Sequence, residues 1–232
     1  MQIAGLQKTT LIDFPGQIAA VFFTPGCSFR CPFCYNRDLV LKEQLTLIPE
    51  EEIFSFLKSR IGKLDGVVLC GGEPTLQEDL RGFCSMVRDL GFMVKLDTNG
   101  FLPERLKELL AQNLLDYVSL DVKTAFDAHY LEATGLSGDW SPVVSAVKES
   151  LHLLKQAGIK FDVRTTLVPR LHPFSVLSQM AKDLAGVPVW YWQQFQALNC
   201  LNPEYNLEKL YPLKELEKMR QDVGPKVKIE IR

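Results

Sequence analysis

Three cysteines, Cys27, Cys31 and Cys34, crowd into one short segment of a 232-residue chain whose other cysteines, Cys70, Cys84 and Cys200, are scattered. Three thiolates in one tight loop can converge on a metal centre, and three is the informative number. A structural zinc site takes four ligands in a closed tetrahedron, so a fourth would have to arrive from a distant thiol such as Cys70 or Cys200. A cubane iron–sulfur cluster held by three thiolates instead leaves one iron with free positions, where a substrate can bind directly. The C-x3-C-x2-C spacing favours the cluster, with zinc as the alternative.

What precedes the cysteines must place them. Ile18 to Thr24 is a run of β-branched, aromatic and small residues closed by Pro25-Gly26, the pattern of a buried strand. Pro49 opens a helix with Ile53, Leu57 and Ile61 on one face, and Gly66 to Cys70 is a second strand. Leu76, Leu80, Phe83, Val87 and Leu90 form a helical stripe closed by Gly91. Phe92 to Leu96 then reads as strand, Pro103 to Leu115 as helix and Tyr117 to Leu120 as strand. Ser141 and Pro142 start a helix whose Val144, Val147, Leu151 and Leu154 face inward until Gly158. Phe161 to Leu167 and Val187 to Phe195 bring the strands to six, before a helix near Leu213 to Met219 and a strand-like Val227 to Ile231.

Strands alternating with helices bury both faces of a parallel sheet. The expected fold is α/β, a single-domain partial (β/α)6 barrel with its core at about residues 16–196 and a tail at about 199–232, since a closed eight-unit barrel typically takes ~250 residues. Composition is ordinary for a globular chain, 47% hydrophobic and 23% charged with a net charge of -2. That balance gives no electrostatic footprint for nucleic acid or an anionic membrane, and no apolar run is long enough to span a bilayer. Met1 to Asp13 carries no secretory leader, so the expected compartment is the cytoplasm, where thiols stay reduced.

The remaining candidates sit where strands end, which is where βα barrels assemble active sites. Gly71-Gly72-Glu73-Pro74 follows the second strand, Asp97-Thr98-Asn99-Gly100 the third and Asp121-Val122-Lys123 the fourth, so two carboxylates, an amide and a lysine point toward one mouth. Arg164 lies in the fifth strand. Cys84, beside Phe83 on an apolar helix face, and Cys70, ending a buried strand, read as core. Cys200 and His172 fall in loops on the active face, within reach of a substrate, while His129 and His152 have no evident partner.

The cysteine motif after a strand, with these segments in order behind it, resembles the radical S-adenosylmethionine (SAM) superfamily over most of the chain, to about Arg170. The resemblance implies a 4Fe–4S cluster on Cys27, Cys31 and Cys34, whose open iron binds the amino and carboxylate groups of SAM and whose electron cleaves it to a 5′-deoxyadenosyl radical. Gly71, Gly72 and Glu73 are similar to the segment that holds the methionyl amino group. There glycines admit close approach of the backbone, and Glu73 brings negative charge for an ammonium. Within the superfamily, the Asp-Thr-Asn-Gly and Asp-Val-Lys segments resemble the glycyl-radical-enzyme activases, as do Asp13-Phe14-Pro15-Gly16 and Cys34-Tyr35-Asn36-Arg37-Asp38. The opening from Gln7 to Asp13 is similar to the longer form of anaerobic ribonucleoside-triphosphate reductase activating proteins.

That resemblance implies Phe33 and Tyr35 flanking the adenine, with Asn99, Asp121, Lys123 and Arg164 beside the cofactor and Asp97 and Asp121 as ligands of a monovalent cation. It also marks two departures. An activase histidine near the end of the sixth strand is replaced by Gln194 or Gln196, and an eight-cysteine ferredoxin insert is absent. The implied partners are a glycyl radical enzyme, in the first place the large subunit of an anaerobic ribonucleotide reductase, and a separate flavodoxin or ferredoxin as electron donor. Two other readings stay open: a radical SAM enzyme acting on a small molecule, like 7-carboxy-7-deazaguanine synthase, and a zinc-stabilised binding module.

Overall fold

The computed structural model describes residues 1–43, 45–224 and 226–232. Its strands form one sheet in chain order: β1 (Gly5–Thr10), β2 (Ala19–Thr24), β3 (Gly66–Gly71), β4 (Met93–Thr98), β5 (Tyr117–Asp121), β6 (Lys160–Leu167), β7 (Trp190–Gln194) and β8 (Ile229–Ile231). From β2 to β8 every neighbouring pair is parallel, and β1 runs antiparallel to β2. Among the described residues β1 and β8 do not pair with each other, so the sheet stays open, the partial barrel of an α/β fold. The helices are α1 (Arg37–Leu41), α2 (Glu50–Ser59), α3 (Leu80–Asp89), α4 (Pro103–Ala111), α5 (His129–Thr134), α6 (Ser141–Gln156), α7 (Phe174–Asp183) and α8 (Leu213–Val223).

Alternation along the strands sorts the side chains into two environments. Ala20 and Phe22 of β2, Val94 and Leu96 of β4, and Phe161 and Val163 of β6 join the large core shared with Ile53, Leu57, Phe83 and the other helix stripes. On the opposite face Ala19, Val21, Val68 and Tyr117 pack with Phe14 into a small apolar plug. These residues lie toward the beginnings of their strands. Farther along, the same face turns polar, with Lys95 and Asp97 on β4, Ser119 and Asp121 on β5, and Asp162, Arg164 and Thr166 on β6. An apolar floor and a charged upper half therefore share one lumen.

Several expectations shift. α2 ends at Ser59, which leaves Ile61 outside the helix and 54% exposed. α3 begins only at Leu80, because Glu73 caps a separate short turn, Pro74–Leu76, by accepting the Thr75 N–H. α4 stops at Ala111, short of the expected Leu115. Four elements escape the periodicity: β1, a polar edge strand; the short helices α1 and α5; and α7, which follows β6 in the chain and buries Leu177, Met180 and Ala181. No helix among the described residues is long and apolar enough to cross a membrane.

A candidate cofactor cavity at the ends of the strands

The loop after β2 delivers Cys27, Cys31 and Cys34 to the wall of a single cavity of about 450 Å³, a volume ordinary for small-molecule and cofactor sites. Gly71, Gly72, Glu73, Asp97, Thr98, Asn99, Asp121, Lys123, Arg164, Phe33 and Tyr35 line the same cavity. The structure thus brings together every residue that the sequence marks for the cluster and the cofactor. The loop is clamped from both sides. Arg30 N–H donates to the Thr134 carbonyl at 2.7 Å, at the end of α5, while Leu201 and Asn202 of the C-terminal tail donate to the carbonyls of Cys34 and Pro32 at 2.9 and 2.8 Å. Phe33 stacks beside Tyr205 of the same tail, with ring centroids 6.5 Å apart.

Burial pushes the Cys27 thiol up to about 11 and the Cys31 thiol to about 12, and raises Cys34 as well. Such thiols are not ionised by their surroundings at neutral pH; a metal centre would supply the charge that makes them thiolates. Donors for a thiolate are in place, since Phe29 N–H and the Asn99 amide approach Cys27 Sγ at 3.4 and 3.7 Å. Among the described residues no three His, Cys, Asp or Glu side chains gather as one metal ion requires. A cluster does not ask for that, because its thiolates bind separate irons. The chemistry of the donor set therefore fits a cluster.

Glu73 is 1% exposed. Its Oε1 accepts from Thr75 N, Thr75 Oγ1 and Thr98 Oγ1 at 3.1, 2.6 and 2.7 Å, and its Oε2 from Asn99 N at 2.7 Å. Burial raises its carboxyl above the usual range against the pull of those bonds, and no salt bridge reaches it among the described residues. The glycines before it serve a contact within the chain. A Cβ on Gly72 would lie 1.9 Å from the Gly26 oxygen, so only glycine lets this loop lie on the segment leading to the cysteines. Backbone bonds from Gly72 to Thr24 and from Glu73 to Gly26, both 2.8 Å, hold the two together.

Opposite stands a charged cluster. Arg164 reaches Asp97 Oδ2 at 2.8 Å and Asp121 Oδ1 at 2.9 Å, Lys123 reaches Asp121 Oδ2 at 3.2 Å, and Lys95 pairs with Asp97 Oδ1. Burial alone would raise the Asp121 carboxyl, but Arg164 and Lys123 outweigh it and hold it below the ordinary value. The expectation of Asp97 and Asp121 as ligands of a monovalent cation does not fit this arrangement, because each of their oxygens already faces a cationic nitrogen of the chain.

Other candidates settle elsewhere. His172 does not face the cavity: it is buried behind it, accepting the Val168 N–H on Nδ1 at 2.9 Å and donating from Nε2 to the Lys123 carbonyl at 2.7 Å. Burial lowers its pKa, in keeping with a neutral ring that braces Lys123. Cys200 is also buried, its Sγ 3.7 Å from the Gln196 carbonyl, and Cys84 lies in the core. Cys70 reaches the cavity wall, contrary to a purely core reading. Gln194 and Gln196 line an adjoining chamber of about 720 Å³ rather than the cysteine cavity. The β7 residue on the cavity is their neighbour Gln193, which strand alternation turns inward. Lys95, Gln193 and the tail clamp were not singled out from the sequence; for Lys95 the signal was its place two residues before Asp97 on the same strand face.

A sequence profile described as the radical SAM superfamily matches residues 21–172. A Methanocaldococcus jannaschii protein named as a glycyl-radical enzyme activating enzyme is 32% identical over 221 residues, 94% of this chain and 90% of that protein. A 7-carboxy-7-deazaguanine synthase of Thermococcus kodakarensis is 28% identical over 155 residues, covering 58% of each chain. Streptococcus suis SuiB with bound S-adenosylmethionine shares the fold at a TM-score of 0.69 and 14% identity over 91% of this chain, which spans about half, 51%, of SuiB. A domain of pyruvate-formate lyase-activating enzyme from Bacteroides vulgatus matches at 0.56 and 16%, over 72% of this chain and 98% of that one. With the profile covering well over half of its length and a relative matched almost end to end, the chain belongs to the radical SAM superfamily.

Proposed function

We propose that this radical SAM enzyme is a glycyl-radical-enzyme activase. The observation that carries the proposal is the similarity, along nearly the whole chain, to a protein named as a glycyl-radical enzyme activating enzyme. Membership of the family implies a 4Fe–4S cluster and SAM, and Cys27, Cys31 and Cys34 are the residues proposed to hold the cluster. When bound, the cluster supplies the electron that cleaves SAM reductively.

The chain's own residues orient and enclose. Lys123 and Arg164 present positive charge to the carboxylate of a bound SAM, and Glu73, in no salt bridge among the described residues, presents negative charge to its ammonium. Asn99 ties this end to the cysteine loop through Ser28 Oγ at 3.0 Å. Phe23, Phe29, Phe33 and Val40 give the cavity an apolar wall that excludes water. Tyr35, half-exposed, stands where the cavity meets the larger chamber, placed to cover an adenine. At the rim of that chamber Leu11 and Ile12 are 71% and 78% exposed, an apolar lip suited to a protein loop entering sideways.

The partner proposed first is the large subunit of an anaerobic ribonucleotide reductase, with flavodoxin or ferredoxin as donor. Incubation of the reduced, reconstituted protein with SAM and that subunit should give a glycyl-radical doublet by electron paramagnetic resonance. The similarity to a 7-carboxy-7-deazaguanine synthase favours a second reading, a small polar substrate in the 720 Å³ chamber. SAM cleavage without a doublet on any glycyl radical enzyme would select it.

A further inference from the structure

Asp97 and Asp121 end neighbouring strands, β4 and β5, and point into one lumen. Two bare carboxylates so placed would repel each other and draw in a cation. Neither is bare. Arg164 on β6 donates from Nη1 to Asp97 Oδ2 at 2.8 Å and from Nε to Asp121 Oδ1 at 2.9 Å. Lys123 Nζ donates to Asp121 Oδ2 at 3.2 Å, and Lys95 Nζ to the remaining oxygen, Asp97 Oδ1. All four carboxylate oxygens thus carry a cationic donor from the chain itself.

Lys95 is the unusual member. It is 1% exposed, yet its ammonium is placed two residues along β4 from Asp97, on the same strand face, with the Tyr117 ring centroid 5.8 Å away. A buried ammonium persists only with such partners. The planar fork of Arg164 bridges two carboxylates in fixed directions, as a spherical ion does not. Asp162, in register with Ser119 and Asp97 and two residues before Arg164 on β6, lines the same chamber as Arg164 and Lys95 and takes a hydrogen bond from Tyr117 Oη at 2.9 Å. A K⁺ or Na⁺ entering between Asp97 and Asp121 would meet both Arg164 and Lys95 at close range, and the positive charges would oppose it.

We infer that Lys95 and Arg164 supply from within the chain the positive charge that a monovalent cation would bring to Asp97 and Asp121, so that SAM binds here without K⁺ or Na⁺. The inference rests on the proposal that the cavity binds SAM. Lys95 is a positioning residue in it: it lines the adjoining chamber and acts through Asp97.

The test compares KCl, NaCl and choline chloride at equal ionic strength. SAM affinity of the cluster-reconstituted protein, by calorimetry, should agree within about twofold across the three salts. The melting temperature of the metal-free protein should agree within about 1 °C, because no bound ion stabilises the fold. Affinity about tenfold or more tighter in KCl or NaCl, or a melting point raised by either, would overturn the inference. Lys95→Gln should bind SAM about tenfold more tightly in KCl than in choline chloride, with Lys95→Arg restoring indifference to salt. A salt-indifferent Lys95→Gln would remove Lys95 from the role; if that variant does not fold, the wild-type comparison still decides. Should no salt support SAM binding, the cofactor reading falls, while the melting comparison alone still shows whether the carboxylates take up an ion.

Discussion

Glu73, just past the end of β3, accepts the backbone N–H of Asn99, just past the end of β4, at 2.7 Å, and the Thr98 hydroxyl at the same distance. One buried carboxylate thereby joins the glycine loop to the segment whose Asn99 touches the cysteine loop. The parts of the site are positioned by each other as much as by the strands.

Glu73→Gln keeps the shape but turns one of those acceptors into a donor facing other donors. The expected cost is about 1–3 kcal/mol of stability, the penalty for a buried hydrogen bond left unmade. Urea unfolding of the metal-free protein measures it, and SAM affinity should fall with it.

Two glycines make opposite predictions. Gly72→Ala puts a methyl group into the Gly26 carbonyl and should destabilise by roughly 1–3 kcal/mol or more while parting the glycine loop from the cysteine loop. Gly82→Ala, inside α3 with open space around the new Cβ, should stabilise by about 0.5–1 kcal/mol. Thermal melts of the two variants check the contrast.

The physical cause of each reading explains what was legible before the structure. Strands β2 and β3 announce themselves because a parallel strand covered on both faces is a continuous apolar run, as in Ala19–Thr24, and β4 to β6 because apolar core residues alternate with polar ones that face the lumen. β1 does not, because it is an edge strand with three exposed residues. The cysteine, glycine and aspartate segments follow strands in order, so a parallel sheet gathers them at one end. What lay out of reach depends on contacts between distant residues: the tail clamp on Pro32 and Cys34, the brace of His172 behind Lys123, and the pairing of all four Asp97 and Asp121 oxygens with Lys95, Lys123 and Arg164. Of the β7 glutamines, Gln193 lines the cysteine cavity, while Gln193, Gln194 and Gln196 all line the adjoining chamber.

The tail bears directly on the cysteine loop. Tyr205 is buried against Phe33, and Arg170 lies 4.8 Å from the centroid of its ring. Tyr205→Ala should cost roughly 3–5 kcal/mol, as large aromatic truncations in cores do. Iron content after reconstitution should fall too, because the clamp on Pro32 and Cys34 loosens. Full iron content in a folded variant would separate the tail from cluster retention.

Asp121 makes stability depend on pH in a definite sense. Its carboxyl is held below its ordinary value of 3.8 in the folded protein, so its contribution is present above that value and is lost as pH falls through the lower, folded one. Asp121→Asn should be less stable than the wild type by about 1–3 kcal/mol at neutral pH, somewhat under the cost of breaking a fully buried pair. The difference should hold down to about pH 5 and shrink below it. Urea midpoints of the metal-free proteins across that range measure it.

The central claim is that three thiols in one cavity hold a cluster that cleaves SAM. Anaerobic reconstitution followed by strong reductant and SAM tests it most directly. The account predicts about four irons and four sulfides per chain, formation of 5′-deoxyadenosine, and loss of that product in Cys31→Ala. A wild-type protein that takes up the full complement of iron and sulfide yet yields no 5′-deoxyadenosine would contradict it.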